Sequence, residues 1–242
     1  MAEKTTYSYR VDPQDVDFTL RATLSSLANT VLSVAGIDAQ RKGFGTDVLN
    51  RDNISWVLLR MAMEFDRRPE QYTDFEVTTW VSDYARMMST RNFTVGDAGG
   101  RIFGRVVTQW CMIDLTSRRP VLTTPAVAAT YGRYLVDAPS PADAPRRITG
   151  VAPQRERSHE VVYSDIDFNR HVNTLRYLDM MLDMLPIESF AGERAVRMDI
   201  NFQRECRYGQ TLTIGHERRD ACDLFEISAE GSPAVRAALE WR

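Results

Sequence analysis

Asp167, Asn169 and His171 occupy alternate positions of one short run, Asp-Phe-Asn-Arg-His, and so bring together a carboxylate, an amide and an imidazole. A neutral imidazole donates one hydrogen bond and accepts another, so it can order a water or polarise a carbonyl. The Asn169 amide can donate to an oxygen that gains negative charge, and Asp167 can orient a neighbour or take a proton. The run precedes an apolar stripe of helical spacing. Unpaired amides and the partial positive charge at such a helix start would stabilise an oxyanion and hold the His171 pKa down. The same residues would equally serve as an N-cap followed by a surface histidine.

A second acid stands at Glu205, with Cys206 beside it. Met198, Ile200 and Phe202 alternate onto an apolar face, and counting by two puts Cys206 with them. The same count puts Glu205 on the polar face with Asp199, Asn201 and Gln203. Glu205 meets a buried site only if the strand ends or bulges near Arg204. There it would activate water as a base; otherwise it is a solvent-facing acid and Cys206 a small core residue. Asp165 would cap or support the loop.

Other chemistries find no residues. No serine lies in a G-x-S-x-G elbow, and Gly43-Phe44-Gly45 lacks the spacing of a phosphate loop. Three cysteines at wide spacing, Cys111, Cys206 and Cys222, form no C-x-x-C pair, so neither a metal site nor a disulfide framework is expected. The formal net charge of -3 argues against a nucleic-acid partner. No apolar run is long enough to span a bilayer, and Met1–Tyr9 lacks the apolar stretch of a secretory signal. A reduced, cytoplasmic protein is the expectation.

The elements that must carry these residues come in two similar series within 242 residues. Leu20, Leu24, Leu27, Val31 and Val34 predict a helix from about Phe18 to Ala35, stopped at Gly36. Leu175, Leu178, Leu182 and Leu185 repeat that stripe, and Pro186 ends it. Strands are predicted at Trp56–Phe65, Phe75–Val81, Thr90–Val95, Arg101–Ile113, Ala195–Arg204, Thr211–Glu217 and Leu224–Glu230, with a hairpin turn at Asp97-Ala98-Gly99-Gly100. Asp15–Arg21 aligns with Asp165–His171 at an offset of 150, and Arg60–Arg67 with Arg197–Arg204 at 137. The expectation is an α+β chain built from two copies of one unit. The first copy would span 1-136 and the second 158-242, joined by a proline-rich linker, 137-157. The copies differ where chemistry would sit: Thr19 and Arg21 replace Asn169 and His171, and Arg68 replaces Glu205. One site per chain follows, in the second copy.

Tyr163-Ser164-Asp165-Ile166-Asp167-Phe168-Asn169-Arg170-His171-Val172-Asn173 resembles the active-site stretch of plant and bacterial acyl-acyl carrier protein (ACP) thioesterases, and Gln203-Arg204-Glu205-Cys206 resembles a further element of that family. Gly43-Phe44-Gly45, Trp56–Met61 and Tyr72–Val81 resemble its first half. The resemblance implies two fused hot-dog domains, each an antiparallel sheet wrapped around a long helix, and cofactor-free hydrolysis of fatty acyl-ACP. It implies catalytic roles for Asp167, Asn169, His171 and Glu205, a disputed one for Cys206, and an acyl tunnel mainly in the N-terminal unit. Trp56, Met61, Met63 and Trp80 are candidates to line that tunnel. Arg118, Arg119, Arg146 and Arg147 are candidates to meet the acidic carrier, and a homodimer stays open. The alternatives are an acyl-CoA thioesterase using the same site and a non-catalytic acyl-binding protein.

Overall fold

The computed structural model describes residues 3–85, 87–121 and 131–242. The first series runs β1 (Thr5–Arg10), α1 (Leu24–Arg41), the one-turn α2 (Thr46–Leu49), β2 (Ile54–Phe65), β3 (Asp74–Ala85), β4 (Met88–Gly96) and β5 (Ile102–Asp114). The second runs β6 (Arg155–Glu160), α3 (Thr174–Leu182), β7 (Val196–Phe202), β8 (Thr211–Arg219), β9 (Cys222–Ala229) and β10 (Ser232–Trp241). All strands join one antiparallel sheet in the order β1-β3-β4-β5-β2-β7-β10-β9-β8-β6. Read inward from either edge, the strand order is the same for both series. This is the α+β pair of fused hot-dog units that the sequence resemblance implied.

The join is the β2–β7 ladder, from Arg60 opposite Asn201 to Phe65 opposite Val196. Ala62 faces Asp199 there, and these two are repeat equivalents at the offset of 137. A local two-fold relation between the copies therefore passes through that pair. Met61 and Met63 on β2 and Met198 and Ile200 on β7 are fully buried, in one continuous core with Leu27, Val31 and Val34 of α1 and Leu178 and Met181 of α3. The helices also touch directly, Ser25 Oγ donating to Asp179 Oδ1 at 2.5 Å.

Helix α1 begins and ends later than its stripe suggests. Leu20 is exposed and left-handed (φ 59°), in a loop tied by the Asp17 carboxylate, and Thr23 caps the helix by accepting from the Ser26 amide. Gly36 does not stop it. The helix continues to Arg41 and closes at Gly43, where φ is +79° and the amide donates to the Gln40 carbonyl. In the second copy Asn173 caps α3, its side chain accepting from the Leu175 amide, and the helix ends at Leu182, ahead of Pro186. The hairpin at Asp97–Gly100 forms as expected, Asp97 Oδ1 accepting from the amides of Gly99 and Arg101.

The proline-rich stretch runs over the outer face of β7. The amides of Arg146 and Ile148 donate to the side chains of Asp199 and Asn201, and Asn201 Nδ2 returns a bond to the Arg146 carbonyl. Asp199 and Asn201, on the polar face as expected, are buried beneath the strap, and Arg197 beside them pairs with Glu64 and Asp199. Burial raises the cost of the Asp199 charge, but Arg197 and Arg146 outweigh it and hold the carboxyl below its usual range. The strap ends earlier than 157, because Arg155 already pairs with His216 at the start of β6.

Gly104 lies opposite Phe65, and a Cβ there would sit 2.4 Å from the Phe65 ring. Gly104→Ala is expected to destabilise by about 1–3 kcal/mol through overpacking. Urea unfolding would show this as a lower midpoint with unchanged slope; an unchanged midpoint would mean the ring moves aside freely.

Candidate active site

Each copy carries the same loop between its first strand and its helix. In the first, a 3-10 turn at Pro13–Asp15 closes on the Asp15 carboxylate, and Val16 bridges to Ala22. In the second, the turn at Tyr163–Asp165 closes on Asp165, and Ile166 bridges to Val172. The tip residues Leu20 and Arg170 are both left-handed, at φ 59° and 63°. The aspartate at the head of each tip ties the loop: Asp17 Oδ1 accepts from the Thr19 amide, and Asp167 Oδ1 from the amides of Asn169 (2.8 Å) and His171 (3.3 Å). A short polar side chain that satisfies amides two and four residues on is what makes this non-glycine turn tolerable.

The loop is then fastened to the segment leaving the central strand. The Val172 amide donates to the Cys206 carbonyl at 2.8 Å, as the Ala22 amide does to the Pro69 carbonyl at 2.9 Å in the first copy. Strand β7 stops at Phe202, and the amides of Gln203 and Arg204 both donate to the single carbonyl of Ala234. Two residues facing one is the bulge that strict alternation lacked. Beyond it the chain has left the ladder, so alternation no longer ties Glu205 to the outer face, and Cys206 is buried.

The result is that His171 Nε2 lies 3.2 Å from Glu205 Oε2. The imidazole is mostly buried, at 16% side-chain exposure, and the carboxylate is at 38%. Burial pushes the His171 pKa below its ordinary value, and the nearby charges of Arg118 and Arg207 push it the same way against the opposing pull of Asp167. The helix start, expected from the sequence to be the cause, lies too far along the chain. Helix α3 begins only at Thr174, with its first amides capped by Asn173, so burial and arginine charge do that work instead. His171 is then a neutral imidazole at neutral pH. The Asn169 side chain is exposed and makes no hydrogen bond among the described residues, so its amide is open to a ligand.

Cys206 is fully buried. Its thiol is pushed up by burial, and its amide donates to the Tyr177 hydroxyl at 3.2 Å. No spacing in the sequence marks Tyr177 as a tyrosine of α3 that reaches back to a strand end. Asp165 is buried, accepting from the Val162 amide and lying 2.8 Å from His159 Nε2, which makes it part of the turn. His216, the remaining histidine, pairs with Asp223 on β9.

Arg118 comes from the turn after β5 in the first copy, and its guanidinium bonds Glu205 Oε1. Glu205 borders a cleft of about 340 Å³ lined also by Arg204, Arg207 and Gln210. Arg146 is engaged with Asp199 and Glu240 on the outer face of the sheet. Of the tunnel candidates, Met61 and Met63 lie in the core beneath the helices, and Trp56 packs against the rings of Tyr84 and Tyr131. Trp80 stands on the face of β3 opposite Phe75 and Val77, under the Lys4 ammonium 3.9 Å from its ring, and so faces away from α1.

In the first copy the corresponding place is an ion pair. Arg68, only 4% exposed, sets Nη1 at 2.5 Å from Asp17 Oδ2 and also donates to the carbonyls of Ala22 and Phe190. Arg21, equivalent to His171, pairs with Glu70 and Glu193. That constellation has no free base.

Similarity to known proteins covers the whole of this frame. The sequence models of the acyl-ACP thioesterase N-terminal and C-terminal domains match residues 2–131 and 150–242. A chloroplastic oleoyl-acyl carrier protein thioesterase of Coriandrum sativum is 25% identical over 94% of this chain and 74% of its own. The crystal structure of an acyl-ACP thioesterase from Bacteroides thetaiotaomicron superposes with a TM-score of 0.90 at 34% identity, over 99% of this chain and 98% of that one. The 12:0-ACP thioesterase of Umbellularia californica, at 19% identity and a TM-score of 0.87 over 99% and 97% of the two chains, shares the fold. With both domain models matched in order and the two-copy architecture intact, the chain belongs to the acyl-ACP thioesterase family.

Proposed function

We propose that this chain hydrolyses fatty acyl-ACP to free fatty acid and holo-ACP, at one site formed by Asp167, Asn169, His171 and Glu205. The observation that carries the reading is the 3.2 Å approach of His171 and Glu205 in the second copy, where the first copy has a closed Arg68–Asp17 pair. Glu205 takes a proton from water as its oxygen adds to the thioester carbonyl carbon. The charge that develops on the carbonyl oxygen is met by the Asn169 amide. When the intermediate collapses the carbon–sulfur bond breaks, and the proton passes by way of Glu205 and His171 to the departing thiolate. Asp167 holds the loop so that Asn169 and His171 keep their places. The acyl chain lies in the N-terminal unit along Trp56, with Met61 and Met63 behind it; Trp80, on the far face, has no part. The cytoplasm fits the greater identity to the bacterial protein than to the chloroplast one.

Removal of one transition-state group costs on the order of 100-fold or more in rate. Asn169→Ala and His171→Ala are each expected to lose that much in kcat, read by free-thiol release from acyl-ACP. Wild-type turnover in both would remove the site. Cys206→Ala is expected to stay within about threefold of wild type, and the buried thiol to resist alkylation until the protein unfolds; a loss as deep as that of His171→Ala would put the thiol into the reaction.

Acyl-CoA is the rival substrate, since the reacting bond is the same. Carrier protein is acidic, so association with arginines around the Glu205 cleft should weaken steeply with salt. At matched chain length, kcat/KM is expected to be higher for acyl-ACP and to fall more steeply with salt than for acyl-CoA. Equal values with equal salt dependence would favour the CoA reading.

A further inference from the structure

We propose that Arg118 of the first copy is a positioning residue for hydrolysis in the second, holding the Glu205 carboxylate so that its other oxygen faces His171. The proposal rests on the reading of Glu205 and His171 as the reacting pair. The two carboxylate oxygens have different partners: Oε1 takes the Arg118 guanidinium and Oε2 faces His171 Nε2 at 3.2 Å. A carboxylate on an irregular segment past a strand end has three side-chain torsions to settle, and Gln203 to Arg204 supply only backbone bonds to Ala234. A cation on one oxygen fixes the plane, and with it the lone pair that meets a water.

The turn that delivers Arg118 is built for placement. Arg118 is left-handed at φ 58°, a conformation that a β-carbon disfavours, and the surroundings over-determine it. Asp114 Oδ1 accepts from the amides of Thr116 (3.1 Å) and Ser117 (2.6 Å) and from the Ser117 hydroxyl (2.9 Å). Asn53 closes the ring, its Nδ2 donating to Asp114 Oδ2 at 2.8 Å while the Thr116 hydroxyl donates to its Oδ1 at 3.1 Å. The Arg118 amide returns to the Asp114 carbonyl, and the Asp114 amide donates to the Arg119 carbonyl. All this order serves a side chain that leaves its own copy and crosses to the other.

The guanidinium also acts on His171. The charged groups bearing on the imidazole are Arg118, Arg207, Asp167 and Glu205, with Arg204 beside Glu205 on the cleft. Removal of the Arg118 charge lets the imidazole take a proton at higher pH, which moves the acid limb of the rate profile upward.

The test compares wild type, Arg118→Ala, Arg118→Lys and Glu205→Gln, with acyl-ACP and with acyl-pantetheine, across pH. For Arg118→Ala the expected result is a loss of about 10- to 100-fold in kcat on both substrates, with KM changed less than about threefold. Its acid limb should move to higher pH, and added guanidinium should restore part of the rate. Arg118→Lys should fall between, and Arg118→Ala should cost nothing further when Glu205 is already glutamine. Wild-type kcat in Arg118→Ala, or a defect confined to KM for acyl-ACP, would overturn the proposal. The latter would make Arg118 a contact for the carrier. Full activity in Glu205→Gln would instead remove the underlying reading of the site, and this separates the two failures.

Discussion

The β2–β7 ladder is the constraint on which the rest of the molecule depends. Two hot-dog units could meet in many ways, but pairing their equivalent strands through Ala62 and Asp199 gives one sheet and one continuous core. That register is fixed on both faces. Inside, Met61 and Met63 meet Met198 and Ile200; outside, Glu64 and Arg197 form an ion pair roofed by the strap. A slip of one residue would turn every one of these side chains to the wrong side. Because β7 runs antiparallel to β2, its exit at Gln203–Cys206 is carried toward the start of β2, where Asn53 and the turn after β5 lie. Strand direction and register thereby bring the Glu205 segment of the second copy beside the Arg118 turn of the first.

Duplication explains why the two ends of this frame can differ so much in chemistry at so little structural cost. The backbone bonds are the same in both loops: the capped 3-10 turn, the left-handed tip, and the amide-to-carbonyl tie from Ala22 or Val172. Only side chains diverge. With Arg68 where Glu205 would stand, the first copy satisfies Asp17, and the carboxyl is held below its usual range because Arg68 and Thr19 outweigh the penalty of burial. A buried pair of this kind adds little net stability, yet removing one partner costs roughly 3–5 kcal/mol. The first copy is thus locked, whereas the second retains an exposed amide and a carboxylate open to a cleft.

The sequence discloses most of this frame and part of the site. Amphipathic stripes mark both helices, the repeat marks the two units, and alternation along Met198–Phe202 defines the condition under which Glu205 could matter. The helix ends differ from the stripe because Leu20 belongs by type to the stripe of α1 while its backbone serves the Asp17 turn, and because Gly36 has open space around it and is simply carried within the helix. Strands β1 and β6 are edge strands with little apolar alternation to mark them; Arg155–Glu160 is almost wholly exposed. Strand β10, Ser-Pro-Ala-Val-Arg-Ala-Ala-Leu-Glu-Trp, is alanine-rich and reads weakly as a strand, yet pairing with β7 and β9 on both sides outweighs that local preference. The sequence offers Arg118 only as one of four arginines for the carrier, since what ties it to Glu205 is a turn geometry and a neighbour 87 positions away.

The parity break at Gln203–Arg204 shows how a regular sheet comes to present chemistry at all. Continued alternation would bury Cys206 and leave Glu205 outside, beside Asn201 and under or beyond the strap. Sharing the Ala234 carbonyl between two amides satisfies both donors where the strand ends, so the cost of leaving the ladder stays small. Cys206 still reaches the core, where Tyr177 takes its amide, and the Val172 amide takes its carbonyl. Cys206 thereby anchors the segment by its backbone while Glu205, one residue earlier, is released toward His171. The order Glu-Cys is required by that division of labour: exchanging the two types would bury an unpaired carboxylate, at a cost of several kcal/mol, and leave a thiol in the cleft. The carboxylate and the small anchoring group are consecutive because, once the chain has left the ladder, backbone bonds hold Cys206 while the side chain of Glu205 is free to turn toward His171.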